Sequence, residues 1–552
     1  MTIQPFINPF QTTRPLYYSS GGGVTTSHPV PAAVGLELLR QGGNAVDAAV
    51  AAAIALVVCE PTSNGFGSDC FAILNIGDQV FGLNASGWSP QALTLEELDR
   101  RGMVNGGSLS SVPSQSLDPL GWQAVTVPGA MAGWHALIER FGTKTPDQLV
   151  APLISILSKG IPTPPGVSYH WANAHKTYSQ RLDRVTHPEF HQWFNTFAPG
   201  GKTPQPGDLW SPPDQITTLK ILAKEGFLSL YQGTLAQALL TYSQDTGGFF
   251  ESSDLTEYVP QWVEPISTDY RGAEVLEIPP NGQGITALMA LGIRSQDRIQ
   301  GGWGNPEDVH FDIEALKLAF VDSFAQVADP GSMVVNSYDL LNPEYLEQRR
   351  QLLGPEALDP RPGNPPKGGT VYLSAADSQG NMVSFIQSNY MGFGSGLVVP
   401  GYGISLQNRG HNFSLQVGHP NQLAGRKRPY HTIIPGFLTE QGKPLAAFGV
   451  MGGFMQPQGH MQVVKNLVDY ELHPQAALDA PRWQWLKGKE VTFEQSFPNH
   501  VIMDLKRRGH QVSVQPDSAS FGRGQIILKD PRGVYSFGSE SRCDSLPALY
   551  FG

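Results

Sequence analysis

A mixed α/β protein of two unlike parts is the fold class predicted by three observations. Helical periodicity dominates residues 130–330, alternating strand patterns begin at Thr370, and a proline-rich linker at 353–369 separates the two. Residues 1–20 read as an extended arm, and 21–80 as a helix pair returning to a strand at 71–76. The longest apolar run, 48–58, stops at Glu60-Pro61 and falls short of the roughly 20 residues that span a bilayer. It reads as a buried helix, N-capped by Asn44 with Asp47 in its first turn. Between 130 and 330 the helical pattern breaks near Pro162, Pro164 and Pro165, and again over 199–213, a Gly/Pro/Asp-rich excursion expected at the surface. With 61 glycines and 45 prolines among 552 residues, both above average usage, turns should be frequent.

The charge balance narrows the partners. A net charge of −11, carried by charged residues spread along the chain, argues against nucleic acid or an anionic membrane and for a small-molecule ligand. The first 16 residues lack a basic n-region and a continuous apolar stretch, so no signal peptide is expected and cytoplasm is the default location. Cys59, Cys70 and Cys543 form no CxxC, which predicts neither a disulfide nor a thiolate metal site. The glycines of Gly392-Phe393-Gly394-Ser395-Gly396 lack dinucleotide-binding spacing, and neither a P-loop nor an HExxH motif occurs. His187/His191 and His411/His419 lack the carboxylates of a zinc site, so neither metal nor cofactor is expected.

The chemistry centres on Lys367-Gly368-Gly369-Thr370-Val371, where the linker meets the first strand of the second part. A threonine hydroxyl is a poor nucleophile without an adjacent base, and an α-amine freed on the same residue is such a base. Cleavage between Gly369 and Thr370 would create it. Glycine upstream leaves room for the hydroxyl to attack the preceding carbonyl, and Pro365 and Pro366 hold the approach extended.

The next residues predict a hairpin. Val371, Leu373 and Ala375 alternate with Tyr372, Ser374 and Ala376, and a second apolar run, 382–386, follows Ser378-Gln379-Gly380. A three-residue loop with Gly380 left-handed pairs Asp377 with Asn381. Counting back from that pair sets Thr370 opposite Ser388, while a one-residue slip would set Asn389 there.

Residues 368–413, GGTVYLSAADSQGNMVSFIQSNYMGFGSGLVVPGYGISLQNRGHNF, resemble the start of the small subunit of the γ-glutamyltransferase family. Residues 21–69 resemble that family's large-subunit opening, and further similar stretches follow in order at 127–133, 265–272 and 310–330. Arg428-Pro429 and Gly449-Val450-Met451-Gly452-Gly453 fall where the family has its substrate loop and paired glycines. The resemblance implies an autoprocessing N-terminal-nucleophile hydrolase with a four-layer αββα sandwich, built from a large subunit, 1–369, and a small subunit, 370–552. A homodimer of such heterodimers is an assembly the reading allows.

By the same resemblance Thr370 is the nucleophile, Ser388 the hydroxyl that orients it, and Gly452 and Gly453 the oxyanion-hole pair. At the substrate positions the chain departs from the family. Ser86 stands where an arginine usually grips the α-carboxylate, Asn412 replaces the aspartate for the α-amino group, and Tyr390 replaces an asparagine. His431 and Thr432 replace a serine pair, and Arg409 replaces a glutamine. Losing charge-assisted partners should weaken the hold on a glutamate zwitterion. The pattern is similar to a divergent branch that includes oxamate amidohydrolase and cephalosporin acylase-like proteins. The sequence therefore predicts an amidohydrolase for small carboxylate-bearing acyl groups, oxamate-like or glutaryl, with acyltransferase activity as an accompanying capacity. The alternatives are a glutathione hydrolase and a non-catalytic binding protein that retains the fold.

Overall fold

The computed structural model describes residues 10, 14–77, 79–103, 117–182, 187–360 and 369–552. Two seven-stranded antiparallel sheets form its centre. The first runs Ala548–Leu549, Gly23–Thr26, Gly369–Ala376, Met382–Tyr390, Asp69–Ile76, Gln79–Ala85, Gln261–Val263. The second runs Tyr17–Ser19, Tyr535–Ser539, Arg523–Lys529, Lys443–Met451, Gly436–Glu440, Ala273–Glu277, Ile266–Tyr270. The strand Gly369–Ala376 packs face to face on Lys443–Met451 and Arg523–Lys529. Between the sheets Phe71, Ile73, Tyr372, Ile386, Phe437 and Phe537 are buried together, each worth about 1.5–3 kcal/mol of apolar burial.

Helices cover both outer faces. Pro29–Arg40 and Ala45–Cys59 pack on the first sheet, and Gly284–Arg294, Met455–Val468 and Pro474–Asp479 on the second. The result is the expected four-layer αββα sandwich. Ala45–Cys59 is buried along its whole length, and its N-terminus is closed by a reciprocal pair: the Asn44 side chain accepts from the Val46 and Asp47 amides, and Asp47 accepts from the Asn44 amide. Among the described residues no helix is long and apolar enough to cross a membrane.

The hairpin follows the predicted register, with Val371 opposite Gln387 and Ala376 opposite Met382. The Asp377 amide donates to Asn381 O at 3.1 Å, and Gly380 has φ +94°. One irregularity lies at the nucleophile: Gly369 pairs with Tyr390, so the ladder bulges at Thr370. A bulge re-aims a side chain out of the pleat.

Among the described residues, the region read as mainly helical contains five strands, Ile161–Pro162, Leu209–Trp210, Gln261–Val263, Ile266–Tyr270 and Ala273–Glu277. They are short, and the last two are joined by a turn in which Arg271 and Gly272 both take positive φ. Gly23–Thr26, ahead of the helix pair, is another strand not anticipated. Of the linker, Lys367, Gly368 and the rest of 361–368 lie outside the described residues, as do 1–9 and 11–13 of the arm. The upstream half is tied down. His310 Nε2 bonds Gly354 O at 2.8 Å, Glu314 accepts from the Leu358 amide at 2.9 Å, and Lys317 Nζ donates to Leu358 O at 3.0 Å.

Candidate active site

Thr370 is buried in the middle of the first sheet, one residue into its strand. Its Oγ1 donates to Ser388 Oγ at 3.1 Å, and Ser388 Oγ also accepts from the Tyr390 amide at 2.7 Å. A second group reaches the hydroxyl: Gln456 Nε2 lies 3.5 Å from Thr370 Oγ1 while Gln456 Oε1 accepts from the Ile434 amide at 2.9 Å. Gln456 is held in the first turn of Met455–Val468, whose approach is the glycine pair.

Gly452 has φ +142° and Gly453 φ +60°, conformations that favour glycine. Gly452 O accepts from the Met455 amide at 3.0 Å and Gly453 O from Gln283 Nε2 at 2.9 Å. Because a peptide N–H points opposite its C=O, the Gly453 amide is turned away from the helix that its neighbour's carbonyl caps. Gln283 also donates to Thr432 O at 2.6 Å, tying the glycine turn to the segment expected to bind substrate.

That segment and Arg409 meet. Arg409 is fully buried, and its Nη1 donates to Thr432 Oγ1 at 2.5 Å. Its guanidinium carbon lies 4.5 Å from the centre of the Tyr390 ring, a cation–π contact in a dry setting. Nε and Nη2 have no hydrogen-bond partner among the described residues. Tyr390 holds φ +78°, is the ladder partner of Gly369, and has a hydroxyl with no hydrogen-bond partner among the described residues. The cation is therefore tied to the residue facing the proposed cleavage point. Burial pulls the Arg409 pKa down to about 10, opposed by the Asp69 carboxylate, so the group remains a cation at neutral pH.

Asp69 was missed in the sequence. It begins the strand Asp69–Ile76 and is the ladder partner of Ser388, which thus has Thr370 on one side and Asp69 on the other. Asp69 Oδ1 accepts from the Gly87 and Gly129 amides, each at 3.0 Å, and from Gln407 Nε2 at 2.8 Å. Its Oδ2 pairs with His431 Nε2 at 3.0 Å. Burial raises the Asp69 pKa to about 7 against the lowering pull of Arg409 and these donors. Burial and Arg409 hold His431 well below the ordinary histidine range, so it is neutral.

Ser86 and Asn412 are placed otherwise. Ser86 Oγ donates to Asn84 Oδ1 at 2.7 Å, and Ser86 O accepts from Arg428 Nε at 3.0 Å. Arg428, from the loop expected to bind substrate, thus comes to the position where the sequence lacks an arginine. Asn412 Nδ2 donates to Tyr430 O at 2.9 Å and Asn412 O accepts from Asn421, so this residue braces the loop that carries Arg428.

A metal-like group lies elsewhere. Ligand atoms of His310, Glu314 and His510 fall within 4.8 Å of one another. Lys317 Nζ already sits 2.7 Å from Glu314 Oε1, and His310 Nδ1 is 2.9 Å from His510 Nε2. The cluster acts as the linker's hydrogen-bonded anchor.

The family model described as "Gamma-glutamyltranspeptidase" matches residues 31–550. The chain belongs to the γ-glutamyltranspeptidase family. Within it, this γ-glutamyltranspeptidase-family chain resembles the crystal structure of a cephalosporin acylase from Bacillus halodurans, at TM-score 0.92 and 46% identity with 100% of each chain covered. It is 32% identical to the glutathione hydrolase-like YwrD proenzyme of Bacillus subtilis, over 94% of this chain and 97% of that protein. It is 30% identical to the oxamate amidohydrolase proenzyme of Klebsiella pneumoniae, over 96% and 99%.

Proposed function

We propose that the chain is a proenzyme that cuts itself between Gly369 and Thr370 and then hydrolyses amides whose acyl group carries a carboxylate. The observation that carries the substrate reading is Arg409. Its Nη1 is used by Thr432 while Nε and Nη2 are buried and, among the described residues, unpartnered. Those two N–H groups form one edge of the guanidinium and match both oxygens of a carboxylate. An oxamyl or glutaryl group supplies that carboxylate without an α-amino group. The names of the oxamate amidohydrolase and cephalosporin acylase relatives are in keeping with this reading.

In maturation the Thr370 hydroxyl adds to the Gly369 carbonyl, the C–N bond breaks, and water hydrolyses the resulting ester to leave residues 1–369 and 370–552. In turnover the α-amine takes the hydroxyl proton as Oγ1 attacks the substrate carbonyl. The Gly452 and Gly453 amides stabilise the oxyanion. Collapse expels the amine with a proton from the α-ammonium, and water then releases the acid from Thr370. Ser388 and Gln456 orient the hydroxyl throughout.

A γ-glutamyl group is the weaker fit. Asn412 is committed to Tyr430 O and brings no negative charge to an α-ammonium. The test is kcat/KM for oxamyl or glutaryl anilides beside the γ-glutamyl anilide. The carboxylate-only substrates should win, and Arg409→Ala should cost them roughly 10- to 100-fold, as losing a charge-assisted hydrogen bond of about 1.5–3 kcal/mol does. Arg409→Lys should recover part of it. Preference for γ-glutamyl, or an indifferent Arg409→Ala, overturns the assignment.

A further inference from the structure

Arg409 has a second buried charge beside it, and that charge changes what the pocket accepts. Asp69 is fully buried and is the largest electrostatic influence on Arg409 after burial itself. It makes no direct ion pair with the guanidinium, because its four hydrogen bonds hold it toward Gly87, Gly129, Gln407 and His431. Both ends of the arrangement are anchored. His431 and Thr432 are adjacent, one bonded to Asp69 and the other to Arg409, and His431 is itself pinned by its amide to Asn281 O at 2.8 Å. Bonds to adjacent residues thus hold cation and anion on one segment, and one guanidinium edge has no partner among the described residues.

We propose that Asp69 is the internal counter-ion of Arg409 and a specificity-determining residue, so that the pocket takes up one carboxylate together with one proton. This rests on Arg409 receiving the substrate carboxylate. The physical reason is charge balance. With Asp69 ionised the buried pair is neutral, and a bound carboxylate would leave a net negative charge without solvent, which low dielectric makes costly. Protonating Asp69 removes that charge. Binding and protonation then favour each other by the same factor. The pocket should discriminate against dianionic acyl groups, since one proton offsets one charge.

The neighbouring groups leave Asp69 as the candidate titrating near neutrality. Cys70 on its own strand, and Tyr231 and Tyr258 packed against it, are all pushed well above their ordinary values by burial. Tyr390 is raised by burial and His431 is held neutral. Arg409 remains cationic, and Asp69 lies near 7. The α-amine of processed Thr370 also titrates in this range, and the experiment separates the two.

The test uses the processed enzyme with the monoanions 5-oxohexanoate and pyruvate, methyl-ketone analogues of the glutaryl and oxamyl amides, as competitive inhibitors. Calorimetry in buffers of different ionisation enthalpy should count uptake of close to one proton per inhibitor at pH 8, and Ki should weaken about a hundredfold between pH 6 and 9. In Asp69→Asn, where an amide of the same shape mimics the protonated acid, Ki should stay at its low-pH value across that range with no proton uptake assigned to this site. If Asp69→Asn keeps the wild-type slope, the α-amine causes it and the proposal fails. If wild type takes up no proton, it fails without any variant. Should carboxylate-only substrates still be preferred in either case, with Arg409→Ala abolishing that preference, the assignment of Arg409 survives and the role of Asp69 alone is lost.

Discussion

Replacing Ser388 by alanine tests the proposed nucleophile at its nearest support. Ser388 Oγ accepts from Thr370 Oγ1 at 3.1 Å and from the Tyr390 amide at 2.7 Å, both in a fully buried setting. Alanine loses the orienting bond, worth about 0.5–1.5 kcal/mol for a neutral pair, which is roughly two- to twelvefold in rate. It also leaves the Tyr390 amide without that acceptor, costing about 1–3 kcal/mol of stability. Because the proposed mechanism uses one hydroxyl for both self-cleavage and turnover, both rates should fall by similar factors. A denaturing gel followed over time reads the first as conversion of a 59.8 kDa chain into two fragments, and kcat of the processed fraction reads the second. Thr370→Ala should remain one chain and serves as the zero point. Ser388→Thr restores the hydroxyl but adds a methyl to a packed site, so it should recover part of each rate. Processing and turnover both at wild-type rates in Ser388→Ala would refute the reasoning.

Gly452→Ala should lower kcat about a hundredfold with little change in KM, since φ +142° suits glycine and a Cβ would lie 3.2 Å from Gly522 Cα; unchanged kcat would remove the pair from the oxyanion site. Acid should unfold the protein through buried histidines. His28 and His310 are both pulled by burial down to about 4, so the unfolded chain takes protons first. Stability should be full above about pH 6.5 and fall by up to about 1.4 kcal/mol per pH unit per histidine toward pH 4. His28 Nδ1 accepts the Val30 amide as a helix cap, so His28→Asn should keep a cap and remove its share of the slope in urea titrations at pH 7.5 and 5.

What could be read from the chain was local. The 370–390 hairpin was legible because period-two alternation and a glycine turn together set the register, and it delivered the Thr370–Ser388 contact. The helix after Asn44 was legible because cap and apolar run are contiguous. Asp69 was not, since its partner His431 lies 362 positions away and an acidic residue at a strand's start carries no local signature. Gln283 and Gln456 were lost for the same reason: their roles consist of bonds to Gly453, Thr432 and Thr370 brought together by packing. Arg409 was found as a departure from a pattern, but its burial and open edge depend on Tyr390 and Thr432, which only the folded chain sets around it.

The strand order has a consequence for the two pieces that cleavage before Thr370 would make. Gly369–Ala376 and Met382–Tyr390 lie between Gly23–Thr26 and Asp69–Ile76, while Tyr535–Ser539 through Gly436–Glu440 lie between Tyr17–Ser19 and Ala273–Glu277. Each piece is thus flanked within a continuous ladder by the other, in both sheets. Pulling them apart would open edges in five places, the pairing of Ala548–Leu549 with Gly23–Thr26 included, and lay bare the layer between the sheets, so the severed chain should behave as one body that never needs to find its partner. Fragments produced separately would each present those raw edges to any other strand. A cut made after assembly would be safe, and the covalent link would serve for building the sandwich rather than for keeping it.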